Sequence, residues 1–291
     1  MHWHRFFGGK VVSSESGSWG QHIPKPLERS KLRLALGRAY YANRRRLAWY
    51  LSDTRFARLR APENLSHVHA QHGTPMLRAL SGVDMQLQVN KKASLQIAAA
   101  CIDGLLLRPG ETFSFWRLVG KPTERRGFKM GFVLRNGTMQ QAIGGGLCQM
   151  TNMLYWMAIH TDLTITERWR HGFDVFPDAG RTQPFASGAT CAYNHIDLQI
   201  RNDTQDTYQL RLSTKGDWLY GSIRCTAPLL HGFEVFEKDH AIRQEMWGGY
   251  SRHNALWRKR YDAETRDLLA EEFITENHAI MMYEPLLEAP K

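Results

Sequence analysis

Three consecutive glycines, Gly144, Gly145 and Gly146, run through Leu147 into Cys148-Gln149 and then into an apolar stretch from Met150 to His160. Glycine reaches backbone conformations that side chains forbid, and the stretch that follows is apolar around much of a helical wheel, so the pattern predicts a tight turn feeding a mostly buried helix. Cys148 then falls in the first helical turn. Free amide hydrogens and the helix dipole favour a thiolate there, and can bring a cysteine pKa from about 8.5 into the range of roughly 3.5 to 7.5. The glycines are expected to leave room for a ligand against the main chain, which makes Gly144, Gly145 and Gly146 candidate substrate contacts.

A cysteine nucleophile needs a base and a polar group to orient it. His171, just beyond the expected strand Thr164 to Arg168, is the candidate base. Asp197 is the candidate third member, with Asp174 and Asp178 as rivals, in the chain order used by papain-like and transglutaminase-like enzymes. Gln149 and Asn152 could aim amides at an oxyanion or a substrate, and Trp116 and Arg168 complete the candidate binding set. His67, His69 and His72 are spaced like metal ligands, yet they lack neighbouring cysteine or carboxylate ligands, so no metal is expected. The Lys-Ser/Thr of a phosphate loop does not follow the glycines, and no cofactor is expected.

The 291 residues can bury a full core, and their Cys101, Cys148, Cys191 and Cys225 lie far apart without CxxC spacing, which fits reduced thiols. No apolar run approaches the length that crosses a bilayer, and no secretory leader is read at the N-terminus, so a cytoplasmic location is expected, with peripheral attachment at the inner membrane face. Charge is uneven. Residues 1–60 hold 13 Lys/Arg against 3 Asp/Glu, which subtracted from the totals of 38 and 28 leaves 25 against 25, so the whole net charge of +10 is N-terminal. Arginines and lysines at 29–60 alternate with leucines and aromatics as in a basic amphipathic helix or helical pair, for which an anionic membrane surface is the expected partner. Nucleic acid is not expected, because no recognised binding fold accompanies the patch.

The pattern predicts an α+β chain: a flexible arm at 1–26, a basic helical segment and connector at 27–80, a core domain at 81–228 and a C-terminal extension packing on it at 229–291. Met85–Val89 alternates like a strand, and Lys92–Leu107 is spaced like a helix. Strands are expected at Thr112–Trp116, Phe132–Met139, Thr164–Arg168 and Ile196–Arg201, with a hairpin of Tyr208–Leu212 and Leu219–Ile223 around Lys215-Gly216-Asp217. A helix is expected near Ala263 to Phe273, and the stretch from the broken basic helix to Pro75 reads as loop.

Glu111–Trp116, Gly144–Gln149 running into Leu154–Met157, His160–Ile165, Glu167-Arg168, His171 and Phe176–Asp178 together resemble the VanW family. The likeness is read as continuing through Phe236–His240, Trp247–Tyr250 and Ile280–Tyr283. It implies an accessory role in vancomycin resistance and peptidoglycan metabolism, without a settled biochemical activity. One departure stands out: where the family is expected to carry Asp-Ala-Thr, this chain has Gly188-Ala189-Thr190. Two kinds of function stay open. One is cysteine-dependent acyl or amide transfer on a wall-precursor peptide, and the other is a non-catalytic binding module or scaffold for peptidoglycan precursors or wall enzymes.

Overall fold

A computed structural model describes residues 23, 25, 27, 29–77, 84–135, 137–175 and 182–284. In chain order the elements are α1 (Lys31–Leu51), β1 (Arg55–Phe56), β2 (His67–Pro75), α2 (Met85–Ile102), β3 (Leu105–Leu107), β4 (Glu111–Ser114), α3 (Phe115–Val119), a 3-10 turn at Glu124–Arg126, β5 (Met130–Arg135), β6 (Thr138–Ile143), α4 (Cys148–Ala158), β7 (Thr164–Glu167), β8 (Phe173–Asp174), β9 (Gln199–Arg201), β10 (Tyr208–Lys215), β11 (Trp218–Cys225), β12 (His231–Gln244), β13 (Tyr250–Asp262) and β14 (Leu268–Met281). The fold is α+β and mostly β. Its strands pair in the orders β1-β4-β9-β7, β2-β11-β10-β3, β12-β13-β14-β8 and β5-β6.

Several elements differ from the sequence reading. Met85–Val89 is the first turn of α2, because Asp84 caps the helix by accepting from the Gln86 amide at 2.8 Å and because burial then recurs at Gln88, Lys91, Leu95, Ala98 and Ile102. A five-residue alternation cannot be told from one helical turn when the longer repeat continues beyond it. The strand expected at Thr112–Trp116 ends at Ser114, whose side chain accepts from the Arg117 amide and starts α3. The stretch read as loop up to Pro75 contains β2, which gains its structure by covering the outer edge of β11. Phe132–Met139 is split between β5 and β6. The helix expected at Ala263–Phe273 is instead a turn followed by β14, paired with β13 from Tyr261↔Leu268 to Tyr250↔Met281. The hairpin around Lys215-Gly216-Asp217 forms in the register Leu212↔Gly221. Most of the arm at 1–26 lies outside the described residues; Ile23 accepts from Trp247 Nε1 at 2.9 Å and donates to Glu245 at 3.1 Å.

The core joins α2, α3 and α4 to the sheets through Leu95, Ile102, Phe113, Phe115, Tyr155 and Ile223, all 1% exposed or less. Gly221 sets how closely α4 approaches, since a Cβ there would stand 2.7 Å from Met157 Cε and 2.9 Å from Met153 Cε. In β12–β13 the register shifts between Lys238 and Ala241, where Asp239 takes the left-handed conformation at φ 54°. The helical start of α2 rests on its cap. Asp84→Ala is therefore expected to lower stability by about 1 kcal/mol in urea unfolding, with the slope unchanged.

Candidate functional site

Cys148 is the first residue of α4, after Leu147 as its cap. The freedom of the glycine run is used internally. Gly144 and Gly146 hold φ of +75° and +88°, a Cβ on Gly144 would meet the Pro122 ring at 2.7 Å, and one on Gly146 would meet Lys91 Cγ at 2.4 Å. Gly145 and Gly131 touch backbone to backbone, so a Cβ on Gly145 would stand 2.2 Å from the Gly131 carbonyl carbon. On the side where a Cβ would stand, the space at each of these three glycines is taken by the chain itself. Their role is close packing of the turn against β5 and α2.

Burial pushes the Cys148 thiol up from its ordinary value, against the opposing pull of the Lys91 ammonium and the amides of Cys148 and Gln149. The thiolate expected from helix position alone is therefore not the resting form, because desolvation outweighs the dipole. The segment Gly188–Cys191 crosses the first turn of α4 as a strap. Thr151 Oγ1 donates to Ala189 O at 2.6 Å, and Asn152 Oδ1 accepts from the Ala189 amide at 2.8 Å. The strap brings a second thiol, Cys191, into electrostatic reach of Cys148; burial, then Cys148, then Asp197 hold its pKa well above the ordinary value, with the Thr151 hydroxyl opposing them. Cys191 went unremarked as a site residue in the sequence, where 43 positions separate it from Cys148 and no spacing signal links them. Lys91 was hidden in a helix whose buried face is otherwise mostly small or apolar.

The other candidates are engaged separately. His171 Nε2 pairs with Thr190 Oγ1 at 2.9 Å, and burial, with the Arg170 charge, depresses its pKa to about 4. Asp197 is fully buried; it accepts from Ser114 Oγ at 2.5 Å, from the Trp116 amide at 3.0 Å and from the Leu198 amide at 3.0 Å. Desolvation and the nearby Glu167 carboxylate raise its pKa to about 7. Neither residue hydrogen-bonds the other. Gln149 ties α4 to β2 by donating to Pro75 O at 2.8 Å and to Thr74 Oγ1 at 3.3 Å. Trp116 is buried and donates from Nε1 to Ile196 O at 2.8 Å. Arg168 is 8% exposed and spends its guanidinium on Gly188 O, Ala186 O and Asn277 Oδ1. The rival Asp174 accepts from Tyr283 and lies 3.6 Å from Arg252, while Asp178 lies outside the described residues. His67, His69 and His72 sit on β2; His69 bonds Ala227 O at 3.0 Å and His72 meets Gln183 at 3.4 Å.

Around the cysteine, then, a strap carrying Thr190 and Cys191 stands among the three residues expected to form a triad: Thr190 holds His171, and Cys191 feels both Cys148 and Asp197. Residues 90–224 match the sequence profile of the family described as VanW like protein. Over this segment the chain matches the VanW family. The chain is 41% identical over 143 residues to the vancomycin B-type resistance protein VanW of Enterococcus faecalis, a match covering 49% of this chain and 52% of that protein. A Bacillus subtilis protein, YoaR, described as uncharacterized, is 27% identical over 128 residues, covering 44% of this chain and 40% of its own length. The chain thus spans about half the length, or less, of these curated relatives, and no solved structure matches it significantly. The VanW profile ends within β11, leaving β12, β13 and β14 outside it. At Gly188, a Cβ would stand 2.4 Å from Asn152 Oδ1, so an aspartate at that position would displace Asn152 from the strap.

Gly145→Ala acts by steric overlap alone, as its φ is not positive, whereas Gly110, at φ +75° with open space around it, reports conformational cost alone. Gly110→Ala is expected to cost about 1 kcal/mol and Gly145→Ala at least about 3 kcal/mol, compared by chemical unfolding. Between pH 6.5 and about 4 the unfolded chain protonates His171 while the folded protein does not, so folding stability from this residue is lost as pH falls through that window, by roughly 3 kcal/mol at most. Asp197 has the opposite sign: its raised pKa keeps the folded state protonated from pH 3.8 to about 7, and stability is lost as pH rises. Measured against the wild type, His171→Asn should gain relative stability on acidification, and Asp197→Asn on alkalinisation.

Proposed function

We propose that this chain is an accessory protein of vancomycin resistance, acting in cell-envelope metabolism by recognising a peptidoglycan precursor or a wall-synthesis protein without turning it over. The resistance role is supported by the VanW match and by the name of its Enterococcus faecalis relative. We place its action on the cytoplasmic side of the membrane, a reading supported by four free cysteines. The choice of recognition over catalysis rests on one observation: Cys148 is held neutral by burial, while His171 and Asp197 are bonded to different partners.

Cysteine-dependent acyl or amide transfer is the second reading. It is favoured by Lys91, whose charge pulls the Cys148 thiol toward ionisation against the desolvation. The two readings separate cleanly. A muramyl-pentapeptide precursor titrated calorimetrically into the full chain should bind with the same affinity to the wild type and to Cys148→Ala, and Cys148 should alkylate with a midpoint above about 8.5. A covalent adduct of the precursor on Cys148, or an alkylation midpoint well below that value shifted by Lys91→Met, would replace recognition with catalysis.

A further inference from the structure

Among the described residues the helix α1 is seated on the domain mainly along one stripe, with Arg117 also 5.9 Å from the Tyr50 ring near its end. Ala42 O accepts from Asn194 Nδ2 at 3.2 Å, Arg45 pairs with Glu167 at 2.5 Å and donates to His195 O at 3.3 Å, and Trp49 O accepts from Arg117 at 3.0 Å. The Tyr41 ring stacks on His195 with centroids 6.4 Å apart, and Trp49 packs against the core. These positions recur every three to four residues, so they define the inward face. The opposite face would ordinarily be polar. Here Leu32, Leu36, Tyr40, Leu47, Tyr50 and Leu51 occupy it, 59% to 80% exposed. At about 100° per residue they form a stripe roughly 100° wide, bordered by Arg33 and Arg44 on one side and Arg46 on the other. Among the described residues these three arginines make no ion pair; Arg46 donates to Asn43 at 3.1 Å.

We infer that the outward face of α1 is a docking surface for an anionic lipid bilayer, with the helix lying along the interface and its apolar stripe among the acyl chains. An apolar stripe rimmed by arginines matches a surface that is apolar below and negative at the headgroups. No helix among the described residues is long and apolar enough to cross a membrane, so α1 lies on the surface. A second copy fits the same stripe less well, because its arginine rims would face each other. Residues 1–30 of this chain supply Arg5, Lys10, Lys25 and Arg29 against Glu15 and Glu28, so they too bring positive charge to a positive rim. Arg45 is set apart from its neighbours Arg44 and Arg46 by its inward ion pair with Glu167, so it holds the helix to the domain while they face the lipid. The inference does not depend on the proposed function.

The test is co-sedimentation of the full chain with vesicles. The wild type is expected to pellet with vesicles containing phosphatidylglycerol, on the order of tenfold more strongly than with pure phosphatidylcholine, and to release at high salt. Leu36→Glu combined with Leu47→Glu, and separately Arg33→Glu combined with Arg44→Glu, should each weaken binding by on the order of tenfold or more. These side chains are exposed, so the thermal melt of each variant should stay at the wild-type value. Wild-type protein that ignores anionic vesicles overturns the inference. So does unchanged binding in either variant, or a wild-type dimer in analytical ultracentrifugation that Leu36→Glu with Leu47→Glu turns into a monomer while vesicle binding persists.

Discussion

A guanidinium taken out of water must have its donors paired, and Arg168 meets that demand by drawing three parts of the chain together. Its Nε and Nη2 hold the carbonyls of Ala186 and Gly188, its Nη1 holds Asn277 of β14, and its Cζ lies 5.0 Å from the centroid of the Tyr155 ring of α4. With the carbonyls fixed, the strap can present Ala189 to Thr151 and Asn152, and Thr190 to His171. The position of Cys191 beside Cys148 follows from that sequence of contacts. Leaving a buried cation's partners unpaired is expensive, so the arrangement of the strap and of β14 against α4 stands or falls with one side chain.

The strongly periodic parts of the chain were legible in its sequence, and the parts that depend on distant pairing were not. The run into α4, the hairpin around Gly216 and the basic helix are local patterns in which turn chemistry and spacing agree. β2 and β14 are strands because β11 and β13 offer them edges, and residues 67–75 and 268–281 carry no comparable local signature. At the site, the motif placed Cys148 at the start of a helix and said nothing of the burial around it. Helix position argued for an ionised thiol, while the burial that prevents it comes from residues far away in the chain. The amides of Gln149 and Asn152 read as substrate contacts because nothing in sequence says that Pro75 and Ala189 will take them.

The VanW match covers the middle of the chain, yet several buried contacts of that middle are completed from outside it. Arg45 of α1 neutralises Glu167, which lies within 90–224 and raises the Asp197 pKa by its own charge. Asn277 of β14 supplies the far end of the Arg168 network, and Arg258 of β13 donates to the carbonyls of Ile159 and Thr161 just beyond α4. The flanks are structural partners of the domain. Relatives that share only the matched segment must satisfy these groups in other ways, so a likeness in the glycine-cysteine motif transfers the packing of a turn more securely than it transfers a reaction.

The irregularity at Asp239 changes how β12 presents its outer edge. Among the described strands, β12, 14 residues long, forms the outer edge of its sheet. An edge of that length, if flat, would template the addition of another chain. The left-handed residue and register shift bend β12 near its middle, and Lys238, Asp239 and Arg243 place charge along the interrupted stretch. A residue that breaks the ladder thus divides one long edge into two shorter ones, which makes it a poorer template for another strand.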